Sequence, residues 1–534
     1  MGQLNWLVDW VWTRIRGYPP SSLASMRLGN EGRSQNALMV QFFTWNCRHP
    51  TLSWWKHFES EVPQLAEMGV TQVWLPPPNK AMTKHGQGYD AYDLWDLGEF
   101  SQKGNIATRW GTKDELIQAI ATAKAHGIDV LIDAVLNHKL GADRTEVFHA
   151  VPVDPKNRLR DLTVPREIEG WTAFDFSGRD GKYSSLKWTQ EHFTGLDWDN
   201  RARLNGVYRI VGGQHQGWSR FVDGEFANYD YLLGVDIDHR HPEVRQDLLA
   251  WGKWVLETTG AVGFRLDAIK HMDRFFLVDF LKYVREATGR GDLFSVAEYW
   301  SGDVRNIRPY IYAFQGLVSF FDVPLHYNFH KASKWGPFYD LRTVLNNTIL
   351  QFRPGDAVTF VDNHECQIGQ TLESWVGRNF KLQAYALILL RGEGHPCVFY
   401  GDIYPNDECY DEYIAQGVRR LMNARKRFAY GERIDYFQNR NCIGFVRTGD
   451  DAHEGCAVIV SNAVESAGTK GIQHMVRMNV GAGIGGSSFT SSMDPELPEY
   501  VDIAPDGWGV FTCPPGKVQV WVKSDTSPAR RAAL

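Results

Sequence analysis

Short apolar runs rich in strand-forming residues alternate with helical patterns from about residue 38 onward, which predicts parallel βα units rather than a sandwich. Between the second and third runs, Thr112 with Glu115 predicts a capping box, and the helical stripe that follows ends at Gly127. Pro242 at a predicted helix start and Gly260 before the fourth run are further signals of a helix boundary. We predict eight strands, at 38–44, 71–75, 128–135, 262–267, 294–298, 319–322, 357–361 and 396–400.

Two parts of the chain lack this alternation of strand and helix patterns. Residues 140–235 are rich in Gly, Asp, Trp and Tyr without a sustained helical period, which indicates a domain inserted after the third strand. After about residue 430, short apolar runs alternate with Gly-rich turns, as in a small β-sandwich. The predicted fold is therefore α/β, a (β/α)₈ TIM barrel with an inserted β-rich domain and a C-terminal β-sandwich. We divide the chain into an N-terminal extension (1–35), the barrel (36–139 and 236–430), the inserted domain (140–235), the sandwich (431–524) and a loose tail (525–534).

The N-terminal extension has apolar residues at helical spacing, with tryptophans beside them and two arginines near the end. We expect either a helix that packs on the body of the protein or an interfacial helix on the cytoplasmic face of a membrane, since Trp and Arg favour that boundary. The segment is too short to span a bilayer. The apolar positions are Leu4, Leu7, Val8, Val11, Trp12 and Ile15.

The composition limits the binding partners and the cellular compartment that we expect for the protein. A net charge of -6 without a basic stripe excludes nucleic acid as an expected partner. Seven scattered cysteines without a CxxC pair suit reduced thiols in a cytoplasmic protein, and Asp9 interrupts the apolar stretch that a secretory signal needs. The many aromatic residues mostly fill a large core, but their rings also suit the faces of sugars. We expect a monomer.

Candidate chemistry begins in the fourth predicted strand, where a period of two places Arg265 and Asp267 on one face. Taken alone, this pair is equally compatible with a structural salt bridge. Other predicted strands also end in ionisable residues, namely Asp133, Glu298, and Asp362 with Glu365. Because the C-terminal strand ends of such a barrel form its active-site face, these groups are candidates for catalysis.

Retaining hydrolysis of a glycosidic bond needs a nucleophilic carboxylate and a carboxylic acid about 5 to 5.5 Å apart. Arg265 beside Asp267 would keep that carboxylate ionised, whereas Glu298 needs a raised pKa to hold its proton near neutrality. The two environments predict Asp267 as the nucleophile and Glu298 as the acid/base.

Four motifs, in this order, resemble those of the α-amylase family: DAVLNH at 133–138, GFRLDAIKH at 263–271, VAEY at 296–299 and FVDNH at 360–364. Each is weak alone, but four in order are specific. The likeness runs from about residue 38 to the end of the sandwich and resembles the liquefying type, which includes intracellular fungal members. It implies cleavage of internal α-1,4-glucosidic bonds in starch-like or glycogen-like polysaccharides and malto-oligosaccharides.

The resemblance also implies roles for single residues. It makes Asp267 the nucleophile, Glu298 the acid/base and Arg265 the residue that orients them. Tyr89 would stack beneath the sugar at the cleavage point, which two histidines would bind. The implied substrate-binding residues are Tyr89, His138, Lys270, His271, Asp362 and His364.

Oxygen donors from two regions, Asn137, Asp230 and Asp236, suit Ca²⁺. Without the resemblance, they would be read as surface carboxylates. The resemblance adds the main-chain carbonyl of His271 and places the ion between the inserted domain and the barrel. Many liquefying amylases hold a second metal cluster in the inserted domain, but three of its positions are here Thr194, Ser219 and Arg240. An arginine opposes a cation, so we expect one Ca²⁺ and no adjacent cluster.

The fourth motif departs from the family at Glu365, where an Asp normally stabilises the transition state. Glu keeps the charge but extends it by one methylene, and a misplacement of about 1 Å can cost about a hundredfold in rate. Three functions therefore stay open: a weak glucan hydrolase, an α-glucan transglycosylase, and a catalytically impaired glucan-binding protein that assists α-glucan synthesis. Intact Asp267, Glu298 and Arg265 favour an enzyme.

Overall fold

The computed structural model describes residues 20–29, 36–464, 473–493 and 499–524. The expected N-terminal helix and the C-terminal tail lie outside these ranges. Within them the strands are β1 (Met39–Gln41), β2 (Gln72–Trp74), β3 (Lys80–Ala81), β4 (Ala91–Asp93), β5 (Asp129–Ala134), β6 (His138–Lys139), β7 (Arg144–Asp154), β8 (Asn157–Asp161), β9 (Arg166–Ala173), β10 (Phe193–Asp199), β11 (Leu204–Ile210), β12 (Val235–Ile237), β13 (Gly263–Leu266), β14 (Phe294–Ala297), β15 (Ser319–Phe321), β16 (Ala357–Phe360), β17 (His395–Phe399), β18 (Arg433–Asn439), β19 (Cys442–Gly449), β20 (Glu454–Ser461), β21 (His474–Asn479), β22 (Ser488–Ser491), β23 (Tyr500–Asp502), β24 (Trp508–Cys513) and β25 (Val518–Lys523).

The helices lie mostly between the barrel strands. The α-helices of the described ranges are α1 (Ser22–Ser25), α2 (Trp54–Glu67), α3 (Lys113–Ala125), α4 (Pro242–Thr259), α5 (Arg274–Thr288), α6 (Val304–Phe314), α7 (Val323–Trp335), α8 (Ile349–Phe352), α9 (Arg378–Leu390) and α10 (Glu412–Phe428). None of them is both long and apolar enough to cross a bilayer. Short 3₁₀ turns complete the connections.

Eight strands close into a barrel, in the order β1-β17-β16-β15-β14-β13-β5-β2, and every pairing between them is parallel. Each of the eight predicted strands overlaps one of these, which confirms the predicted barrel. The capping box of Thr112 with Glu115 is present at the start of α3. Pro242 opens α4, and Gly260 closes it with a φ of 79°, a left-handed conformation that glycine adopts without strain.

The chain leaves the barrel after β5 and builds a second sheet, in the order β6-β12-β10-β11-β7-β8, with β9 paired to β7. The first and last strands of this excursion, β6 and β12, pair antiparallel with Asp236 opposite His138. The excursion therefore leaves and re-enters the barrel at one point. The sheet starts and ends slightly beyond 140–235, so the domain limits stay a prediction.

After α10 the chain forms a six-stranded sheet, β18-β19-β20-β25-β22-β23, and a separate pair, β21-β24. A second hydrophobic core lies between them, with Val476, Phe511 and Trp521 among its buried residues. This β-rich unit confirms the C-terminal part of the predicted fold. It packs against the barrel through α9 and α10, as at Gln383, whose amide donates to the carbonyl oxygens of Ser461 and Gly516 at 3.2 and 2.7 Å.

Candidate active site

The guanidinium of Arg265 joins three carboxyl groups at the C-terminal end of the barrel. Its Nη1 donates to Asp133 Oδ1 at 2.9 Å and to Asp267 Oδ1 at 2.6 Å, and its Nη2 donates to Glu298 Oε2. The register explains the convergence, because Asp133 on β5 lies opposite Arg265 on β13. Asp267 and Glu298 follow directly after β13 and β14. The two predicted catalytic carboxyls are thus held on one guanidinium.

Burial and mutual repulsion make this cluster retain protons. Burial is the main cause that raises the pKa of Glu298 to about 8, against the attraction of Arg265; Asp267 and Glu365 raise it further. Burial likewise raises the pKa of Asp133 to about 6, with Arg265 opposing and Asp267 adding to the rise. Glu298 can therefore donate a proton near neutrality, while Asp267 presents a carboxyl oxygen to the guanidinium of Arg265.

Tyr89 lies above this cluster as one of three nearly parallel rings. Its hydroxyl donates to Asp133 Oδ2 at 2.7 Å. Its ring is stacked 5.1 Å from that of His364 and 5.8 Å from that of Trp45. Sequence reasoning missed Trp45, although this residue follows directly after a predicted barrel strand and that position was a usable signal. The rings form an aromatic wall of the kind that sugar rings stack on.

The two predicted sugar-binding histidines have different hydrogen bonds. The amide Nε2 of Gln41 lies 3.2 Å from His364 Nδ1 and donates to it, which places the ring proton on Nε2. His364 Nε2 is buried and has no partner among the described residues. Burial, and next Arg265, hold the pKa of His364 well below its usual range, so the ring is a neutral donor. His138 Nε2 instead bonds the carbonyl oxygen of Tyr89 at 2.8 Å.

Glu365 extends its carboxyl group toward the same cluster. Its Oε1 lies 3.8 Å from His364 Nε2. Burial raises the pKa of Glu365 to about 7; Asp267 raises it further and Arg265 opposes the rise. The longer side chain thus still interacts electrostatically with the nucleophile candidate.

Asp362 differs from the expected substrate contact. Its side chain is 2% exposed, with Oδ2 2.6 Å from Lys381 Nζ and Oδ1 accepting from Cys366 Sγ at 3.0 Å. The backbone N–H of Val376 also donates to it at 3.3 Å. Both oxygens therefore have protein partners, because Lys381 on α9 draws the carboxylate away from the cleft. The arrangement suits support of the segment that carries His364 and Glu365.

Lys270 and His271 lie on a 3₁₀ turn after β13 and both contact the inserted domain. Lys270 Nζ forms an ion pair with Glu225. His271 Nδ1 lies 2.9 Å from the carbonyl oxygen of Tyr229, and burial lowers its pKa to about 3. The side chain of Lys270 is 13% exposed at this junction.

Asn137, Asp230 and Asp236 meet where the inserted sheet joins the barrel, and all three are buried. Burial raises the pKa of Asp230 to about 7 and that of Asp236 well above its usual range, to which Asp230 adds. Asn137 Oδ1 is buried without a partner among the described residues. Two buried carboxyl groups beside a carbonyl oxygen without a partner offer the oxygen ligands that Ca²⁺ prefers, so this donor set fits Ca²⁺.

The three residues that replace the second metal cluster all have protein partners here. Thr194 Oγ1 donates to Asp236, and Ser219 Oγ donates to Asp273 at 3.0 Å. Arg240 Nε donates to Asp238 Oδ1 at 2.7 Å. The guanidinium of Arg240 thus places a positive charge beside Asp238.

Another group of possible metal ligands consists of the buried His192, the half-buried His241 and the exposed Glu243. The N–H of Thr189 donates to His192 Nδ1 at 2.9 Å, so His192 Nε2 keeps its proton and donates to Glu243 at 3.3 Å. A protonated nitrogen has no lone pair for a metal, so this group does not suit one.

Comparison with known proteins agrees with the geometry. The model of the alpha-amylase catalytic domain matches residues 55–408. Glucan 1,4-alpha-maltohexaosidase of Bacillus sp. (strain 707) is 42% identical over 94% of this chain and 95% of its own. The cytoplasmic alpha-amylase of Escherichia coli (strain K12) is 37% identical over 91% and 99%. The crystal structure of an Anoxybacillus alpha-amylase superimposes with a TM-score of 0.61 at 16% identity, covering 93% of this chain and 99% of that one. The chain belongs to the α-amylase family.

Proposed function

We propose that the protein is a retaining glycoside hydrolase that cleaves internal α-1,4-glucosidic bonds in starch-like or glycogen-like glucans. The observation that carries this proposal is the contact of one guanidinium, Arg265, with both Asp267 and Glu298. Curated relatives named for amylase and maltohexaosidase activity support the substrate class. The cytoplasmic relative and the free thiols of the described cysteines support a cytoplasmic location.

In the proposed reaction, Glu298 gives its proton to the glycosidic oxygen while Asp267 attacks the anomeric carbon. The bond to the leaving sugar breaks, and a covalent glycosyl-enzyme forms on Asp267. Glu298, now a carboxylate, then takes a proton from water, whose oxygen attacks the same carbon and releases Asp267. Two inversions restore the α configuration. Arg265 stays in place through both steps and stabilises each carboxylate as it becomes charged.

Around this pair, the aromatic wall and His364 would bind the sugar. His364 Nε2 has a proton without an acceptor in the described structure, and a sugar hydroxyl would satisfy it. Glu365 would accept a hydroxyl hydrogen bond from the same sugar. Lys270, beside Glu225, would contact the glucan where the inserted domain borders the cleft.

One Ca²⁺ would be held by Asn137, Asp230, Asp236 and the main-chain carbonyl of His271. When bound, the ion supplies charge that compensates two buried carboxylates. Asp236 lies opposite His138 in the β6–β12 pair, so this centre fixes the inserted sheet beside the cleft rather than taking part in bond cleavage.

Calcium removal is expected to lower the melting temperature, because Asp230 and Asp236 would then repel each other in a buried site. A loss of about 2 to 3 kcal/mol would lower Tm by about 2 to 3 °C, because the entropy of unfolding is large for a chain of 534 residues. Metal analysis of the dialysed protein should give one Ca²⁺ per chain, and Asn137→Leu should bind it more weakly. Two or more tightly held ions per chain would contradict the assignment of Thr194, Ser219 and Arg240.

The pH profile of kcat/KM should fall at basic pH, and the ionisation of Glu298 should set the position of this basic limb. Its raised pKa means that the carboxyl is protonated below about pH 8 and can act as an acid there. We expect kcat/KM to fall as the pH rises through this value, since kcat/KM reports the free enzyme. Glu365→Gln removes a negative neighbour, so the pKa of Glu298 and the basic limb should move to lower pH. An unmoved limb would show that the two groups are not coupled.

The products formed from maltoheptaose separate the proposed hydrolysis from its alternatives. Shorter sugars that first appear as the α-anomer would support retaining hydrolysis. Longer sugars would indicate glycosyl transfer, which is the second candidate because Glu365 stands where the family has Asp. Binding without any product would indicate an impaired enzyme.

A further inference from the structure

One carboxylate joins three of the connections that follow barrel strands. Glu408 lies in the connection after β17, and its Oε1 accepts from the backbone N–H of Asn46, in the connection after β1, at 2.9 Å. The same Oε1 accepts from Gln367 Nε2, in the connection after β16, at 2.8 Å. All three connections leave the C-terminal ends of their strands, which form the active-site face. Glu408 therefore bridges loops of that face, although it lies outside the four family motifs.

The charge of Glu408 determines which way round the side-chain amide of Gln367 lies. An ionised carboxylate only accepts hydrogen bonds, so the amide turns its nitrogen toward Glu408 and its oxygen away. That oxygen, Gln367 Oε1, accepts from the backbone N–H of Trp45 at 3.1 Å. Gln367 is 1% exposed, so water does not readily replace either bond. Two successive N–H groups, those of Trp45 and Asn46, thus depend on one carboxylate.

These bonds hold the backbone of Trp45, a member of the aromatic wall. Its ring is nearly parallel to those of Tyr89 and His364, with interplanar angles of 2° and 9°. Trp45 is half-buried and lies in a turn beyond the end of β1, so it lacks the backbone pairing that holds a strand. The bonds to the two N–H groups of this turn therefore determine where the ring of Trp45 lies relative to the other two rings.

The connection that carries Glu408 is itself fixed by the side chain of Asn406. Asn406 Oδ1 accepts from the N–H groups of Glu408 and Cys409, at 3.0 and 2.9 Å. Asn406 Nδ2 donates to the carbonyl oxygens of Gly401 and Tyr404, at 3.1 and 2.8 Å. One amide thus satisfies four backbone groups of this connection. The carboxylate therefore stands on a preorganised base, as a group that positions a neighbouring loop requires.

We propose that Glu408 is a positioning residue, which aligns Trp45 with Tyr89 and so sets the affinity of the sugar site at the aromatic wall. This inference rests on the proposed function, because that function assigns the wall to sugar binding. Glu408 acts through Gln367 and the backbone N–H of Asn46 rather than by contact with the sugar. Since the wall contacts the bound substrate as well as the transition state, a misaligned ring should weaken binding more than it slows the chemical step.

The first test measures maltoheptaose binding by calorimetry in an Asp267→Asn background, so that no substrate is consumed. Glu408→Ala should raise the dissociation constant about fivefold, since both bonds to the carboxylate are lost. Glu408→Gln should bind like the parent, because its amide oxygen can still accept both bonds. Glu408→Lys should bind more weakly than Glu408→Ala, because an ammonium would turn the amide of Gln367 round and set its nitrogen against the N–H of Trp45. Asp407→Ala is the matched control, because Asp407 is an exposed acid in the same connection.

A double-mutant cycle shows whether Glu408 acts through Trp45. If it does, W45A/E408A should bind maltoheptaose as W45A does, because the second change then has no ring left to misalign. In the active enzyme, Glu408→Ala should raise KM about fivefold and leave kcat nearly unchanged. Unchanged binding by Glu408→Ala would overturn the proposal. Losses that multiply in the double variant, or a fall in kcat without a rise in KM, would overturn it as well.

A probe of the ring itself separates this proposal from the proposed function, because it needs no glucan. In protein labelled with fluorotryptophan, the fluorine NMR resonance of Trp45 is assigned by its loss in Trp45→Phe. This resonance should shift in Glu408→Ala and stay in place in Glu408→Gln. A shift in a protein that binds no maltoheptaose would mean that the proposed function fails while the positioning of Trp45 by Glu408 stands. An unchanged resonance in Glu408→Ala would overturn the positioning role, whatever the activity of the enzyme.

Discussion

Replacing Asp267 by Asn is expected to lower kcat on malto-oligosaccharides by about 10⁴-fold or more, since the variant lacks the attacking carboxylate. The side chain keeps its size, and the amide oxygen can still accept from Arg265 Nη1. The fold should therefore persist, with an unchanged circular dichroism spectrum. Labelling with a 5-fluoro maltosyl fluoride should add one glycosyl group to the peptide that contains Asp267, and none in the variant.

Asp322→Asn is the matched control for this change. Asp322 is also buried after a barrel strand, but its carboxylate accepts from the N–H groups of Leu325, Ile349 and Leu350, at 3.1, 3.1 and 2.7 Å. This control should lose stability and keep its turnover per folded molecule. Turnover retained in a clean Asp267→Asn preparation, or a label on another carboxylate, would refute the nucleophile assignment.

Shortening Glu365 to Asp is expected to raise kcat/KM on starch-like substrates about tenfold, equivalent to about 1.4 kcal/mol of recovered transition-state stabilisation. The carboxyl of Glu365 lies 3.8 Å from His364 Nε2, and we infer that its extra methylene misplaces it relative to the sugar that both residues would bind. If the contact forms mainly in the transition state, kcat should rise with kcat/KM. A contact made equally with the bound substrate would change mainly KM.

Glu373→Asp provides the control, because Glu373 lies in the same connection and bonds the N–H of Gly369 at 2.9 Å outside the cluster. Its kinetics should not change. A Glu365→Asp variant with equal or lower kcat would show that the backbone already places the longer carboxylate correctly. The presence of Glu instead of Asp at position 365 would then not be the cause of any slow hydrolysis.

The barrel was predictable from sequence because each of its strands is a short buried run with a helix on either side. Local signals such as the capping box of Thr112 depend on neighbours within one turn, so they were predictable as well. The meeting of Arg265 with Asp267 followed from the period of a single strand. The family motifs then implied the roles of these residues, which the period of a strand alone does not show.

Contacts between distant parts of the chain were not predictable in this way. Lys381 lies on α9, and nothing in the spacing of the fourth motif shows that it withdraws Asp362 from the cleft. Trp45 joins the aromatic wall only because the barrel closes between β1 and β17. The amide of Asn462 holds a turn more than a hundred residues earlier, and this contact depends on how two units dock.

The antiparallel pair β6–β12 makes the inserted domain modular. Since the chain leaves and returns within hydrogen-bonding distance, the entropy cost of closing the excursion depends only weakly on its length. Insertions of other sizes can therefore replace residues between the two strands without stretching the barrel. His138 and Asp236 are opposite each other inside the pair, so such exchanges leave this edge of the cleft in place, and they keep the candidate calcium site as long as they retain Asp230. During evolution, the part of the inserted sheet beyond β6 and β12, and with it the extent of the cleft, can therefore change without a change in the catalytic carboxyl groups.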